Sequence, residues 1–384
     1  MSCVLIVGAG PVGAVCALAL RQQGIAARVI EAQREDARAD SRTLALSHGS
    51  QLILERLGVW GRLQDVTPIT RIHISQRGAL GVACLSADEV NVPALGYVLP
   101  YATLTAALKQ ALAEAEIAVE YGVAVTGIES DAAAATLHTD DGRSMAAPLV
   151  VVADGGRGDA ASKMSAAPAP KLQRDYEQMA VVCEVQTELP HANQAYERFT
   201  PQGPAALLPK GDRYALVWTA SHAEAEHIAA LDDSEFLAAL YRHFGGRQGK
   251  FTAASPRKTF PLKLAYVGST AADRVVRIGN AAQTLHPVSG QGFNIGLRDA
   301  WELASLCGDS APDALGNAAM LAAYARGRRV DVLGGVGFTD FLVRVFSNDI
   351  APVRHARGLG LLALELCPPL KNFVARRMIF GARG

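Results

Sequence analysis

A chain of 384 residues, half of them hydrophobic, carries enough apolar material for two domains or one large one and is neither disordered nor fibrous. Its 37 basic and 37 acidic residues cancel, which argues against nucleic acid as a partner and for small-molecule chemistry. Six scattered cysteines (Cys3, Cys16, Cys84, Cys183, Cys307, Cys367) form no CxxC pair or Cys/His cluster at ligand spacing. No metal site is expected, and the cysteines read as buried free thiols in a reducing compartment.

Met1 to Val7 runs straight into a strand pattern without the features of a secretory leader. No apolar run reaches the roughly 18 residues of a membrane-spanning helix, so the expected location is the cytoplasm, at most peripheral at the inner face of the membrane. Val4 to Val7 is an apolar run ending at Gly8; Val12, Val15, Cys16, Ala19 and Leu20 then recur at helical spacing, and Arg28 to Glu31 reads as a second strand. This βαβ unit implies a parallel sheet with a right-handed crossover. Thr103 is placed to cap a helix with Leu104, Leu108, Ala111 and Leu112 on one face. A strand at Ile117 to Tyr121, a hairpin turning at Asp140-Asp141-Gly142 and a buried strand at Leu149 to Ala153 follow.

Ser165 to Lys171 reads as a linker, after which the period changes. Met179 to Val185, Ala205 to Leu208, Tyr214 to Thr219 and Thr259 to Val267 suggest a largely antiparallel sheet, with one helix from Ser234 to Phe244 behind the Asp232-Asp233 start signal. A buried strand at Arg274 to Ile278 and a helix from about Gln291 to Leu306 return to the first domain. The expected fold is therefore α/β: a discontinuous Rossmann-like dinucleotide domain (1–70, 97–170, 268–325), an inserted β-rich substrate domain (71–96, 171–267) and a helical C-terminal region (326–384).

Gly8-Ala9-Gly10-Pro11-Val12-Gly13 fits G-x-G-x-x-G in the right context, after a strand and opening a helix, with Glu31 18 residues beyond Gly13 at the end of the next strand. Gly8 makes the tight turn, Gly10 lets backbone approach a pyrophosphate, and Gly13 permits close packing of helix on sheet. Glu31 accepts hydrogen bonds from an adenosine ribose and disfavours a 2′-phosphate, so the tenant is FAD or NAD rather than NADP. A second block, Arg277 to Asp299, reads RIGNAAQTLHPVSGQGFNIGLRD. There Gly279 ends a strand, and Pro287, Gly290, Gln291 and Gly292 shape a loop whose backbone N–H groups face an electron-rich cofactor edge.

This block resembles the second FAD-binding motif of the flavoprotein aromatic hydroxylases, and its Gly-Asn-Ala-Ala-Gln-Thr-Leu-His-Pro form resembles the ubiquinone-biosynthesis hydroxylases. In that family an acidic residue at the position of Asn280 binds the ribityl chain. Ser41 to Leu46, whose Arg42 would contact the cofactor, and Tyr196 to Thr200 in the substrate-domain sheet carry the resemblance further. The stretch from Asp154 to Ala161 departs from the family's Asp-Gly-x-x-Ser-x-x-Arg, lacking the serine and final arginine, and Tyr101, Ala102 and Thr103 stand where relatives place an arginine or glutamine. The resemblance implies bound FAD, NADPH or NADH as electron donor, O₂ as co-substrate, and hydroxylation of a polyprenyl phenol, nearest to 2-polyprenyl-6-methoxyphenol. It implies cofactor contacts from Gly8, Gly10, Pro11, Val12, Gly13, Glu31, Arg42, Asp154, Gly279, Asn280, Gly292, Phe293 and Asn294. Pro287, Gly290, Gln291 and Gly292 would position the flavin's reactive edge without acid/base chemistry.

His286 reads as a structural histidine, and His73, His222, His227 and His243 have no metal spacing. Arg354, Arg357, Lys371, Arg376 and Arg377, mixed with apolar residues, suggest either a solvated helix face or a face for a membrane surface or a quinone-biosynthesis complex. Two other classes stay open at this level: a flavin-dependent reductase or dehydrogenase acting on a lipophilic substrate, and a non-catalytic flavoprotein.

Overall fold

The computed structural model describes residues 3–36, 42–78, 81–156, 172–268, 270–284, 290–346 and 351–383. Cys3–Val7 pairs in parallel with Ala26–Glu31 on one side and Val150–Val152 on the other. Ala118–Tyr121 extends the sheet beyond the former; Val275–Arg277 and then Thr270–Ala272 extend it beyond the latter. Alternate residues of the first strand go to opposite faces, as a pleated strand requires. Val4 and Ile6 join a core with Val15, Leu20, Leu104, Leu108, Leu297 and Leu303. These come from the helices Pro11–Gln22, Tyr101–Glu114 and Gln291–Asp309. Leu5 and Val7 instead pack on Ile128 and Leu137 of a three-stranded meander covering the other face.

Thr103 is not a cap. The 101–114 helix begins at Tyr101 directly behind Pro100, whose φ of −65° already suits a helix start, and Thr103 falls inside the first turn. The hairpin turns at Gly142, which has φ +82°.

The second sheet runs in the order Gln283–Thr284, Lys258–Tyr266, Leu172–Thr187, Arg213–Ser221, Gly203–Lys210, Gln194–Thr200, Arg71–Gln76, Val82–Ser86. Arg71–Gln76 joins through parallel pairing with Gln194–Thr200, so residues distant in sequence share this sheet. Asp232 and Glu235 form a reciprocal capping box at the start of the Asp233–Phe244 helix. A further helix, His222–Ala230, stands where only one was expected. It starts directly after the last residue of a strand, Ser221, which caps it by accepting from the Glu224 N–H, and its few apolar positions give a weak periodicity.

Three helices close the chain: Ala318–Phe346, Ala351–Leu366 and Pro368–Phe380. The expected boundary at 325/326 falls inside the first of them, whose Met320, Leu321 and Tyr324 belong to the Rossmann core. The basic face is also corrected. Arg357 and Lys371 are buried, Arg357 donating to the Val345 carbonyl and Lys371 to Glu89, and Arg376 is exposed. Among the cysteines, Cys16, Cys183 and Cys307 are buried, Cys3 and Cys84 half-buried, and Cys367 exposed; all six are free thiols. No helix among the described residues is long and apolar enough to cross a membrane, and no group of His, Cys, Asp or Glu among them is arranged to hold a metal ion.

Candidate active site

The glycine turn is built by contact. Gly8 has φ +104°, and a Cβ there would lie 2.6 Å from the Ala153 carbonyl oxygen. A Cβ on Gly13 would lie 2.0 Å from the Gly8 carbonyl oxygen, so only glycine lets the helix Pro11–Gln22 sit this close to the sheet. Gly10 is different: its φ of −61° suits any residue, and the nearest atom to a Cβ there is the Tyr101 hydroxyl at 4.0 Å. That open cradle at a helix N-terminus would suit a pyrophosphate, with the N–H groups of the first turn as donors. Pro11 stands at the first helical position.

Glu31 accepts from the Ala9 N–H at 2.7 Å and the Gln33 N–H at 2.8 Å. The carboxylate is thereby fixed beside the glycine turn, and each oxygen keeps a lone pair for a ribose hydroxyl. Arg42 lies with its guanidinium 5.1 Å from the centre of the Tyr101 ring, and its carbonyl accepts the Tyr101 N–H. Tyr101 thus lies near both Gly10 and Arg42, a placement that the sequence showed only as the lack of an arginine or glutamine.

The remaining cofactor segments meet around Asp154 and Gly279. Asp154 Oδ1 accepts from the Gly156 N–H at 3.0 Å, while its buried Oδ2 has no hydrogen-bond partner among the described residues. Burial pushes this carboxyl above the ordinary aspartate range. An orphaned acceptor beside an open cradle fits a hydroxyl-rich dinucleotide, so the residues present suit FAD. Gly279 has φ +59° and packs on Val12, whose Cγ1 would lie 3.2 Å from an added Cβ. The exposed Asn280 borders Asp154's turn, its carbonyl oxygen lying 3.0 Å from where a Cβ of Gly156 would stand.

Asp299 holds this joint and was not singled out from the sequence. Its Oδ2 accepts from the Gly279 N–H at 3.1 Å and Gln283 Nε2 at 2.6 Å, while its Oδ1 accepts from Arg328 Nε at 2.8 Å. Arg328 also bonds Glu302 and Asp331, and Asp331 pairs with Arg298. Burial pushes the Asp331 carboxyl up, but Arg298 and Arg328 outweigh it and hold it below the ordinary range.

Pro287 lies outside the described residues, as does His286. Gly290 is left-handed, with φ +60° and ψ 12°, and caps the helix that begins at Gln291; Gln291 and Gly292 are therefore first-turn residues and not loop. Gln291 donates to the Met378 carbonyl at 3.2 Å, tying this helix start to the C-terminal helix. Phe293 packs against the Rossmann core. The Asn294 side chain is engaged within the protein. Its Oδ1 accepts from the Ser47 N–H and Ser50 Oγ, and its Nδ2 donates to the Ala45 and Gly290 carbonyls, which consumes its hydrogen-bonding capacity.

A cavity of about 140 Å³ opens between three walls. Ala45 to Ser47 with Gly290, Gln291 and Asn294 form one; Ile72, Ile74, Ala195, Glu197, Ala206, Leu208, Val217 and Thr219 of the large sheet form the second; Ala375, Met378 and Ile379 form the third. An apolar cavity of about 150 Å³ admits a benzene ring, so this one has room for an aromatic ring. Glu197 keeps some surface, and that surface is on the cavity. Burial pushes its carboxyl up to about 8. The segment Tyr196 to Thr200 was noted in the sequence, but nothing there distinguishes Glu197 from an exposed strand glutamate.

The comparisons with known proteins agree with this geometry. The FAD binding domain family matches residues 1–330. The chain is 35% identical over 382 residues to the ubiquinone hydroxylase UbiL of Rhodospirillum rubrum, covering 97% of this chain and 88% of the relative. It is 31% identical over 380 residues to the 3-demethoxyubiquinol 3-hydroxylase of Escherichia coli, covering 96% of each. In fold it is similar to the probable FAD-dependent monooxygenase pqsL of Pseudomonas aeruginosa (TM-score 0.77, 23% identity, 94% of this chain and 99% of that one). It is likewise similar to Klebsiella pneumoniae HpxO complexed with FAD and uric acid (TM-score 0.76, 18% identity, 100% of this chain and 98% of that one). With a glycine turn, a glutamate clamped beside it and a second glycine turn near a ring-sized cavity, the near full-length relatives establish that the chain belongs to the FAD binding domain family, among the flavoprotein hydroxylases of ubiquinone biosynthesis.

Proposed function

We propose that this protein hydroxylates the ring of a polyprenyl phenol, with 2-polyprenyl-6-methoxyphenol as the substrate and a nicotinamide donor and O₂ as co-substrates. The observation that carries the reading is the cavity: apolar, ring-sized, and walled on one side by the flavin block and on the other by the inserted sheet. When bound, FAD supplies passage of electrons from donor to oxygen and transfer of one oxygen atom to the ring. The protein's residues bind and orient. Gly10, Glu31 and Asp154 would hold the cofactor's polar parts; Gly290 and Gln291 set the backbone facing the cavity; Ile72, Ile74, Leu208 and Val217 exclude water from the ring.

The test is incubation of the FAD-loaded protein with donor, ¹⁸O₂ and either a short-chain 2-prenyl-6-methoxyphenol or a short-chain 3-demethoxyubiquinol, with product read by mass spectrometry. One ¹⁸O in the ring of the first is expected. Labelling of the second alone would move the substrate to that of the Escherichia coli relative. Donor oxidation with a reduced, unlabelled product would make the protein a reductase.

The prenyl tail needs a place outside the ring cavity, and we propose that the protein collects its substrate from a lipid surface. The helix that supplies Ala375, Met378 and Ile379 to the cavity exposes Leu370 and Phe373 (63% exposed), and the preceding helix exposes Leu359, Leu362 and Leu366 (73% exposed). Large apolar side chains so exposed, on the element that walls the cavity, support lipid contact next to the ring site. Co-flotation with phospholipid vesicles, lost in Leu366→Asp/Phe373→Asp, is the expected result. Equal flotation of variant and wild type would refute it.

A further inference from the structure

We propose that Glu197 accepts the phenolic proton of the substrate ring and so generates the electron-rich ring that oxygen attacks. The inference rests on the phenol reading above, but the residue is identified by geometry. Glu197 sits on the strand Gln194–Thr200, opposite Ala206 on one neighbour and Ile74 on the other, both of which line the same cavity. Among the described lining residues it is the only carboxylate, and the adjacent Tyr196 is the only other titratable group. Among the described residues, no titratable side chain lines the cavity from the other lining segments: Ala45 to Ser47, Ile69, Arg71–Gln76, Val82–Ser86, Leu95 and Gly96, Gly203–Lys210, Arg213–Ser221, Gln291–Asp309 or Pro368–Phe380.

The cavity's other polar groups are largely committed elsewhere. Asn294 is consumed by Ser47, Ser50, Ala45 and Gly290; Ser47 Oγ contacts Ser50; Gln291 Nε2 is held by the Met378 carbonyl. The Glu197 carboxyl has no hydrogen-bond or ion-pair partner among the described residues, although it is surrounded by protein. Facing a cavity lined mainly by apolar side chains, this half-buried carboxyl is left without a protein partner. A ring hydroxyl entering this cavity would supply that partner.

The chemistry matches. A phenol ionises near 10, and an ordinary carboxylate near 4.3 is a poor base toward it. Burial brings Glu197 to about 8, within reach of the phenol. The phenolic O–H bond breaks, its proton bonds to a Glu197 oxygen, and the electron pair left on the phenol oxygen raises density at the ortho and para carbons. Once oxygen is added, the ring hydrogen leaves its carbon as a proton and reprotonates the phenol oxygen. The proton held by Glu197 ends in the water made from the second oxygen atom of O₂.

The experiment uses FAD-loaded wild type, Glu197→Gln and Glu197→Asp with 2-methoxy-6-(3-methylbut-2-enyl)phenol and a ring-fluorinated, more acidic analogue. Binding, hydroxylated product and donor oxidation are followed between pH 6 and pH 9.5. In wild type, the product rate should rise with pH and level off above about 8, as the carboxylate form fills. In Glu197→Gln, phenol binding should stay within about threefold, product formation should fall roughly a hundredfold or more, and the inflection near 8 should vanish. The deficit should shrink with the fluorinated phenol, which needs less help to ionise, and Glu197→Asp should recover part of the rate. An active wild type matched by Glu197→Gln in rate and pH profile, or a deficit equal for both phenols, overturns the role of Glu197 alone. A wild type that hydroxylates neither phenol at any pH overturns the substrate reading and this inference with it. Should Glu197→Gln fail to load FAD, Glu197→Asp decides: an unchanged rate and inflection there counts against the proposal, and a displaced inflection with reduced rate supports it.

Discussion

Asp299→Asn tests whether the second flavin motif is held in place by a buried charge. In the native chain this carboxylate is 2% exposed and takes hydrogen bonds from the Gly279 N–H, Gln283 Nε2 and Arg328 Nε. An asparagine of the same shape has one acceptor oxygen. Whichever way its amide turns, its NH₂ group meets either the Arg328 guanidinium or the Gly279 and Gln283 donors, all of which are donors themselves. Arg328, 2% exposed, loses one of its three acid partners. Breaking a buried pair by removing one partner costs about 3–5 kcal/mol; since Glu302 and Asp331 remain on Arg328, the lower end, about 3 kcal/mol, is expected here. Urea unfolding at pH 7 measures that loss, and flavin fluorescence during dilution measures FAD release. Release should quicken as Gly279 is freed from its anchor. Arg328→Met added to Asp299→Asn should recover part of the stability, because no guanidinium is then left under-paired. A single variant within about 0.5 kcal/mol of wild type, the range of ordinary surface substitutions, with unchanged FAD release, would refute the reasoning.

In Glu31→Ala, FAD binding should weaken by about 1–3 kcal/mol through loss of the ribose acceptor and of the clamp on Ala9 and Gln33, measured by fluorescence titration. Unchanged affinity would remove Glu31 from the site. In Gly290→Val the obstacle is conformational, since a Cβ there comes no closer than 3.8 Å to Ala45, but φ is +60°, which costs a β-branched residue about 1–2 kcal/mol or more. FAD should still bind through Gly10 and Glu31, while donor oxidation yields hydrogen peroxide in place of hydroxylated product; coupled hydroxylation at the wild-type rate would show this turn to be ordinary structure. The raised carboxyl of Glu197 also carries a stability signature of definite sign. Its folded value of about 8 exceeds the unfolded value near 4.3, so its contribution is fully present below about pH 4 and is lost as pH rises to about 8. Glu197→Gln should therefore lose less stability than wild type between pH 5 and pH 8, by a few kcal/mol at most since the residue is only half-buried; parallel curves in denaturant titrations at the two pH values would contradict it.

Local constraints made part of this protein legible without its structure. The turn at Gly8, Gly10 and Gly13 and the glutamate that follows are confined to one βαβ unit, where spacing alone dictates which backbone atoms would approach a phosphate and which carboxylate would meet a ribose. The second glycine block was visible for the same reason: Gly290 sits at a helix start where a left-handed residue is needed, and few other residues tolerate φ +60°. Less was legible where a residue's partner lies far along the chain. Asn294 stands inside a motif that favours cofactor contact, yet its bonds go to Ser47 and Ser50, 247 and 244 residues away. Lys371 looked like one of several basic residues on a surface, but Glu89, 282 residues distant, holds it inside the fold.

Glu197 shows the limit most plainly. Period-two alternation predicts a strand but not what its faces meet, and a glutamate in such a pattern reads as solvent-facing. Only tertiary structure decides otherwise. Parallel pairing with Arg71–Gln76 and antiparallel pairing with Gly203–Lys210 surround the side chain with Ile74 and Ala206, while the flavin block and the C-terminal helix form the cavity's other walls. The sequence by itself determined the cofactor cradle, because that chemistry is written in neighbouring backbone. The cavity and the Glu197 carboxyl on it were decided by packing, because desolvation depends on atoms brought together from across the chain.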